Sequence, residues 1–211
     1  MLVVRDGTEG VEALMLRRDR DLSFAGGTWV FPGGRIDPED HPPDGDDLEQ
    51  AALRAAVREA QEEAGLALDV RLLRRWSHWT PPPESPRRFT TAFFVAAVPD
   101  DAGEVVVDDG EIREYQWRRP DEMLALRDAG EVSLTPPTFI SLRQLREHSD
   151  VASATSGSQV VEHFSTRIAF QDDLVVAMYH GDRGYDSGEP AGDGPRHRLS
   201  MGPTWTYERR P

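Results

Sequence analysis

Three glutamates on one predicted helix are the side chains of this sequence best suited to chemistry. Glu59, Glu62 and Glu63 lie in the run Arg58-Glu59-Ala60-Gln61-Glu62-Glu63-Ala64-Gly65-Leu66. At helical spacing their carboxylates crowd together, and like charges repel unless a cation lies among them. A divalent ion with oxygen ligands, such as Mg²⁺, removes that repulsion and also binds substrate phosphates. The pattern indicates a metal site, although such a run taken alone is more often a solvated acidic face.

Two neighbouring features favour the metal site over the solvated face. Arg58 precedes Glu62 by one helical turn, so its guanidinium can orient a carboxylate as well as balance its charge. Upstream, Gly33 and Gly34 offer backbone amides for close approach to a phosphate or to the helix. Gly65 is the residue expected just past a helix end. A strand-loop-helix unit therefore brackets the acidic cluster.

The helix that carries the cluster is predicted from about Asp47 to Ala64, with Asp46 and Glu49 forming a capping box at its start. Its other stripe, between the glutamates, is rich in alanine and leaves room for a ligand. The apolar stripe predicted to be buried consists of Leu53, Val57, Ala60 and Ala64.

This stretch resembles the box of the Nudix hydrolases, G-x5-E-x7-R-E-U-x-E-E-x-G-U, in which U is a bulky apolar residue. Gly34 and the segment 58–66 match the pattern, with Ala60 at the first U. The arginine lies ten residues further from the glycine than in a standard box, so we infer an inserted loop over residues 38–45. The first acidic position is Asp40 when counted forward from Gly34. Counted back from Arg58, it is Gln50, with Glu49 adjacent.

The resemblance implies an α/β/α sandwich with a mixed sheet, and hydrolysis of the phosphoric anhydride bond of a nucleoside diphosphate linked to another moiety. Mg²⁺ or Mn²⁺ is the implied cofactor, and Arg58 would orient its ligands. The general base would be Glu62 or a glutamate outside the box, for which Glu111 is the first choice and Glu114 the second. The implied metal ligands are Glu59, Glu62, Glu63 and Gly34.

Substrate binding is predicted for Arg87 and Arg88, which follow a run of prolines, and for Gly33. A solvated strand end is an equally good interpretation of the two arginines. The segment from Trp79 to Phe89 and the box insertion are similar to a branch that contains acyl-coenzyme A diphosphatases, which suggests coenzyme A or an acyl-coenzyme A. Ser23 replaces an arginine of the stricter coenzyme A pattern, so the alternative substrates are ADP-ribose, NADH and dinucleoside polyphosphates. A non-catalytic nucleotide-sensing role is a further alternative.

Composition narrows the class of partner. The 211 residues carry a formal charge of −14, which disfavours nucleic-acid and anionic membrane surfaces, and there is no cysteine for a disulfide or thiolate chemistry. We expect a cytoplasmic protein with a nucleotide-type substrate, and a homodimer would be typical of the family.

The chain is predicted to divide into a Nudix hydrolase domain over residues 1–150 and a small β-rich extension over residues 151–211 packed on it. In the extension, His180, Asp182 and His197 could form a metal set on paper, but scattered surface positions are the favoured interpretation.

Overall fold

The computed structural model describes residues 1–22, 25–43, 45, 47–85, 88–98, 102–107, 110–157 and 160–211. The chain packs as two units. One consists of Met1–Arg75 and Phe94–Gln159, and the other of Trp76–Phe93 and Val160–Pro211. Residues 76–93 thus group with the C-terminal residues, while the domain boundary at residue 150 stays a prediction.

The secondary structure is mixed. The strands are β1 (Leu2–Gly7), β2 (Gly10–Arg18), β3 (Trp29–Val30), β4 (Arg74–Thr80), β5 (Thr91–Ala97), β6 (Ile112–Arg118), β7 (Glu162–Ser165), β8 (Arg167–Gln171), β9 (Leu174–Met178), β10 (Arg196–Met201) and β11 (Trp205–Arg210). The helices are α1 (Leu48–Ala64), α2 (Pro120–Asp128), α3 (Pro136–Leu145) and α4 (Val151–Thr155). In the described part of the chain, no helix has both the length and the apolar character needed to span a membrane.

The sheet of the first unit is mixed. β1 pairs antiparallel with β2 and parallel with β5, and β2 also pairs antiparallel with β3 and β6. The centre of β2, from Ala13 to Leu16, is buried without interruption, as expected for a strand covered on both faces. Beside the sheet, α2 packs against α3, whose Phe139, Leu142 and Leu145 are buried, as their helical spacing predicts.

Helix α1 starts and faces differently from the prediction. Its N-cap is Asp47, whose side chain accepts hydrogen bonds from the N–H groups of Glu49 and Gln50, and Asp46 lies outside the described residues. Gly65 ends the helix with φ +70°, as predicted. The predicted buried stripe was partly wrong, since Leu53 and Val57 are only partly covered. The buried residues are Ala51, Ala55, Ala60, Glu63 and Ala64. Alanines allow close packing on this face, and one carboxylate is drawn inward with them.

The second unit has its own β structure. β4 pairs parallel with β7, and β8 to β11 form an antiparallel sheet in chain order. Trp79 stacks on Phe164 with ring centroids 4.1 Å apart, and Tyr179 meets both rings edge-on. The alternating apolar residues from Leu66 to Trp79 predict a strand, but β4 begins only at Arg74, because a 3₁₀ turn occupies Val70–Leu72. The expected mixed α/β fold and β-rich C-terminal region are confirmed.

The second unit contains a buried ion pair. Asp182 and Arg198 are almost fully enclosed, and the carboxylate accepts from Arg198 Nε at 2.7 Å and from the N–H groups of Gly184 and His197. His197 Nδ1 lies 2.8 Å from the carbonyl oxygen of His180. These residues therefore have structural partners, and the three do not group as a metal site among the residues described.

We predict that Asp182→Asn lowers the free energy of unfolding by about 3–5 kcal/mol, because it leaves the Arg198 charge buried without a partner. Burial alone would raise the pKa of Asp182, but the hydrogen bonds from Arg198, His197 and Gly184 lower it. The contribution is therefore present above the ordinary aspartate pKa and lost as the pH falls through the lowered folded-state value. Denaturant titration at pH 7 and near pH 3 tests this. Asp186→Asn, at an exposed position, should change little at either pH.

Candidate active site

The glycine pair brings the backbone against α1. The Gly33 N–H donates to Glu63 Oε2 at 2.8 Å, with Gly33 at φ +153°, a conformation that favours glycine. At Gly34 a Cβ atom would lie 2.1 Å from Glu59 Oε1. A side chain at this position would therefore displace the Glu59 carboxylate, so the turn and the acidic face of α1 depend on each other.

Two of the three box glutamates lie in an environment that disfavours negative charge. Glu63 is 7% exposed, and burial raises its pKa to about 7; the Glu59 carboxylate adds to this, while the Gly33 N–H and the Arg18 charge oppose it. Burial also raises the pKa of Glu59, assisted by the negative charge of Glu62 and opposed by Arg58. The pair is thus arranged so that a nearby cation would stabilise both ionised forms.

Arg58 connects the cluster. Its Nη1 atom donates to Glu59 Oε1 at 3.0 Å and to Glu62 Oε2 at 2.9 Å. On its other side, Nε and Nη2 reach the two oxygens of Asp40 at 3.2 and 3.0 Å, and Nη2 also contacts the Arg35 carbonyl oxygen. One guanidinium therefore fixes the positions of three carboxylates, as the sequence suggested for Glu62 alone.

The structure separates the three candidates for the first acidic position of the box. Asp40 is 4% exposed, and although burial alone would raise its pKa, the hydrogen bonds from Arg58 and the Asp37 N–H lower it. Glu49 instead pairs with Arg75 at 2.9 Å on the surface, and Gln50 is exposed. Asp40 ends a 3₁₀ turn over Pro38–Asp40.

Arg18 is a site residue that the sequence analysis did not select. Its Nη2 atom lies 3.0 Å from Glu111 Oε2, and its charge also lowers the pKa of Glu63. Arg18 therefore contacts Glu111, just before β6, and also acts electrostatically on Glu63 of α1. Glu114 pairs instead with Arg17 at 3.2 Å. An arginine at the end of the strand leading towards the glycine turn was the available clue.

The remaining predicted residues are placed less centrally. Glu62 is the most exposed of the three box glutamates, and its carboxylate is held by Arg58. Arg88 is exposed and belongs to the second unit, whereas Arg87 lies outside the described residues. The substrate-binding role of both arginines stays a prediction.

The side chains of the cluster fit a hard divalent ion, because they offer carboxylate oxygens as ligands. Two of the glutamates, Glu59 and Glu63, have raised pKa values. Over the residues that the structure describes, no three His, Asp or Glu side chains are grouped closely enough to hold an ion as they stand. Arg58 and the Gly33 N–H occupy carboxylate oxygens instead. Glu59, Glu62 and Glu63 are the residues that would supply the ligands.

Comparison with known proteins gives the family. The family model described as the NUDIX domain matches residues 1–136, which is more than half of the chain. The chain therefore belongs to the Nudix family, as the box resemblance predicted.

Individual relatives agree with this assignment. The chain is 29% identical over 172 residues to "Putative nudix hydrolase 7" of Caenorhabditis elegans, a match that covers 65% of this chain and 56% of that protein, so it spans little more than half of that curated relative. A solved NUDIX hydrolase from Alicyclobacillus acidocaldarius has a TM-score of 0.66 at 26% identity, covering 76% of this chain and 94% of its own. A MutT NUDIX hydrolase from Burkholderia pseudomallei, at 23% identity and TM-score 0.50, covers 68% of this chain and 92% of its own, and shows the fold alone.

We predict strong energetic coupling between Asp40 and Arg58. In a double-mutant cycle of Asp40→Asn and Arg58→Gln, measured by denaturant unfolding, we expect a coupling free energy of about 2–3 kcal/mol, because the bonds are charged and largely shielded from water. The same cycle for the exposed pair Glu49 and Arg75 should give about 0–1 kcal/mol. Equal coupling in the two cycles would contradict the placement of Asp40 as the partner of Arg58.

Proposed function

We propose that this chain hydrolyses the pyrophosphate bond of a nucleoside diphosphate linked to another moiety, with Mg²⁺ or Mn²⁺ as cofactor. One observation carries the proposal. Glu59, Glu62 and Asp40 converge on Arg58, and Glu63 accepts a hydrogen bond from the Gly33 N–H. Burial raises the pKa values of Glu59 and Glu63. Crowded carboxylates next to open backbone amides suit a metal ion and the phosphates that it accompanies.

Each residue has a defined task in this proposal. Glu59, Glu62 and Glu63 would hold the ion, which when bound polarises phosphoryl oxygens and lowers the pKa of water. Arg58 orients Glu59 and Glu62, and Asp40 fixes Arg58 from the other side. Glu62 or Glu111 accepts the proton from the attacking water. The water oxygen adds to one phosphorus atom, the bridging bond breaks, and two phosphate monoesters leave.

Coenzyme A or an acyl-coenzyme A is the substrate that we propose first. The support is the sequence similarity over the segment 79–89 and the insertion inside the box, and both features belong to this chain as well as to the acyl-coenzyme A diphosphatase branch. Cleavage of the pyrophosphate of coenzyme A would give adenosine 3′,5′-bisphosphate and 4′-phosphopantetheine. For the assembly we propose a homodimer in the cytoplasm, which light scattering and localisation of the tagged protein would test.

The defining experiment is product analysis by mass spectrometry with a panel of coenzyme A, acetyl-coenzyme A, ADP-ribose, NADH and diadenosine polyphosphates. We expect turnover with Mg²⁺ or Mn²⁺, none in chelator, and recovery when the metal is returned. Glu63→Gln should lower kcat at least about a hundredfold, since it removes a charged ligand of the reacting centre. Glu49→Gln is the matched control, because it makes the same change on the same helix at a surface pair.

The outcomes separate the candidate functions. Cleavage of ADP-ribose or of a dinucleoside polyphosphate, with coenzyme A untouched, would replace the proposed substrate and keep the proposed chemistry. Saturable nucleotide binding without cleavage under every metal condition would favour the nucleotide-sensing role. A Glu63→Gln variant with wild-type turnover would refute the assignment of the metal site.

The glutamate outside the box can be identified by two matched variants. We expect Glu111→Gln to lower kcat about 10²–10⁴-fold if Glu111 is the base, because the amide cannot take a proton from water. Glu111 is the first choice because Arg18, which contacts it, also acts electrostatically on Glu63. Glu114→Gln should leave kcat nearly unchanged, since its partner is Arg17. Unchanged kcat in the Glu111 variant would leave Glu62 as the base.

A further inference from the structure

A cleft of about 300 Å³ in the second unit contains none of the residues proposed for metal binding or proton transfer, although it includes Arg88, whose substrate-binding role stays a prediction. It lies where the proline-rich loop after β4 meets the corner between β7 and β8. Pairing of Thr80 with Ser165, and the 3.0 Å bond from the Thr166 N–H to the Thr80 carbonyl oxygen, join the two segments. Its polar lining consists of Glu84, Arg88, Ser165, Thr166, Arg167 and Tyr185.

The lining is unusually rich in free hydrogen-bonding groups. Within the described ranges of the chain, no hydrogen bond or ion pair engages the Arg88 guanidinium or the hydroxyl groups of Ser165, Thr166 and Tyr185. Arg167 uses Nη1 to bind the Asp186 carbonyl oxygen at 2.9 Å, which leaves further N–H groups of its guanidinium. Convergent donors without partners in a concave site are what a polar ligand requires.

The charges of the cleft select an anion. Two guanidiniums face one carboxylate, in a chain whose formal charge is −14, so this lining is locally cationic against an acidic background. The planar fork of a guanidinium matches phosphate oxygens, and the hydroxyls can donate to the same oxygens. Glu84 repels a fully ionised oxyanion but can accept a hydrogen bond from a phosphate oxygen that carries a proton. Sulfate has no such proton at neutral pH.

We propose that this cleft binds a phosphate group, either free or as the monoester of a small molecule. The volume is at the lower end for ligand pockets, which suits one phosphoryl group with a small substituent. All the lining residues belong to the second unit, and Ser165, Thr166, Arg167 and Tyr185 lie beyond the residues matched by the family. The proposal does not depend on hydrolysis by the first unit.

Isothermal titration of the full chain with inorganic phosphate, phenyl phosphate and sulfate, at constant ionic strength and with chelator, tests the proposal. Chelator prevents a metal ion from bridging phosphate to the carboxylates on α1. We expect one site that prefers phosphate to sulfate. Arg88→Gln should weaken phosphate binding at least about tenfold without loss of folding, because the Arg88 guanidinium has no hydrogen bond or ion pair among the residues that the structure describes. Arg210→Gln, an exposed change in the same unit, should leave the affinity unchanged.

A second variant tests the selectivity. Glu84→Gln should remove the preference for phosphate over sulfate. The amide oxygen is a weaker hydrogen-bond acceptor than the carboxylate, and the neutral side chain no longer repels a dianion. Tighter binding of phenyl phosphate than of inorganic phosphate would identify an ester as the ligand, and equal binding would identify free phosphate. Absence of saturable binding, equal binding of sulfate and phosphate by the wild type, or an Arg88→Gln variant that binds as tightly as the wild type would overturn the proposal.

Discussion

The repulsion among carboxylates on α1, and its partial relief by Arg58, is the interaction on which the first unit depends. Negative side chains are placed close together on a partly buried surface, where desolvation and mutual repulsion both oppose ionisation. Arg58 compensates by binding Glu59, Glu62 and Asp40 at once. The Gly33 N–H adds a fourth fixed point at Glu63. The surrounding elements are arranged to supply these contacts.

That arrangement explains several local features of the fold. A side chain at position 34 would displace the Glu59 carboxylate, which occupies that space. The alanine-rich face of α1 permits the close packing that carries Glu63 inward. The short 3₁₀ turn after the glycines returns the chain to Arg58, with Asp40 buried at its end. Each feature positions a charged group.

The second unit contains a useful contrast. Asp182 and Arg198 form a buried ion pair whose oxygens are saturated by hydrogen bonds, so the pKa of the carboxyl is lowered. In the α1 cluster a single arginine serves three carboxylates, and the pKa values of Glu59 and Glu63 are raised. The first arrangement is complete within the protein and stabilises the fold. The second would be stabilised by an added cation, and raised pKa values of this kind are typical of binding and catalytic sites.

Much of this protein could be predicted from its sequence. The helix and its C-cap could be predicted, since they depend on contacts between residues only a few positions apart. The family could be predicted from the spacing of Arg58, Glu59, Glu62 and Glu63 and from the glycines on either side. A β-rich C-terminal region was also predicted, and β7 to β11 lie in it. Only the tertiary structure brought Asp40, rather than Glu49 or Gln50, to Arg58, brought Arg18 to Glu111, and turned Leu53 and Val57 partly outward. Those outcomes depend on contacts between residues up to 93 positions apart in the chain, and no local pattern of residue types specifies which distant carboxylate reaches a given arginine.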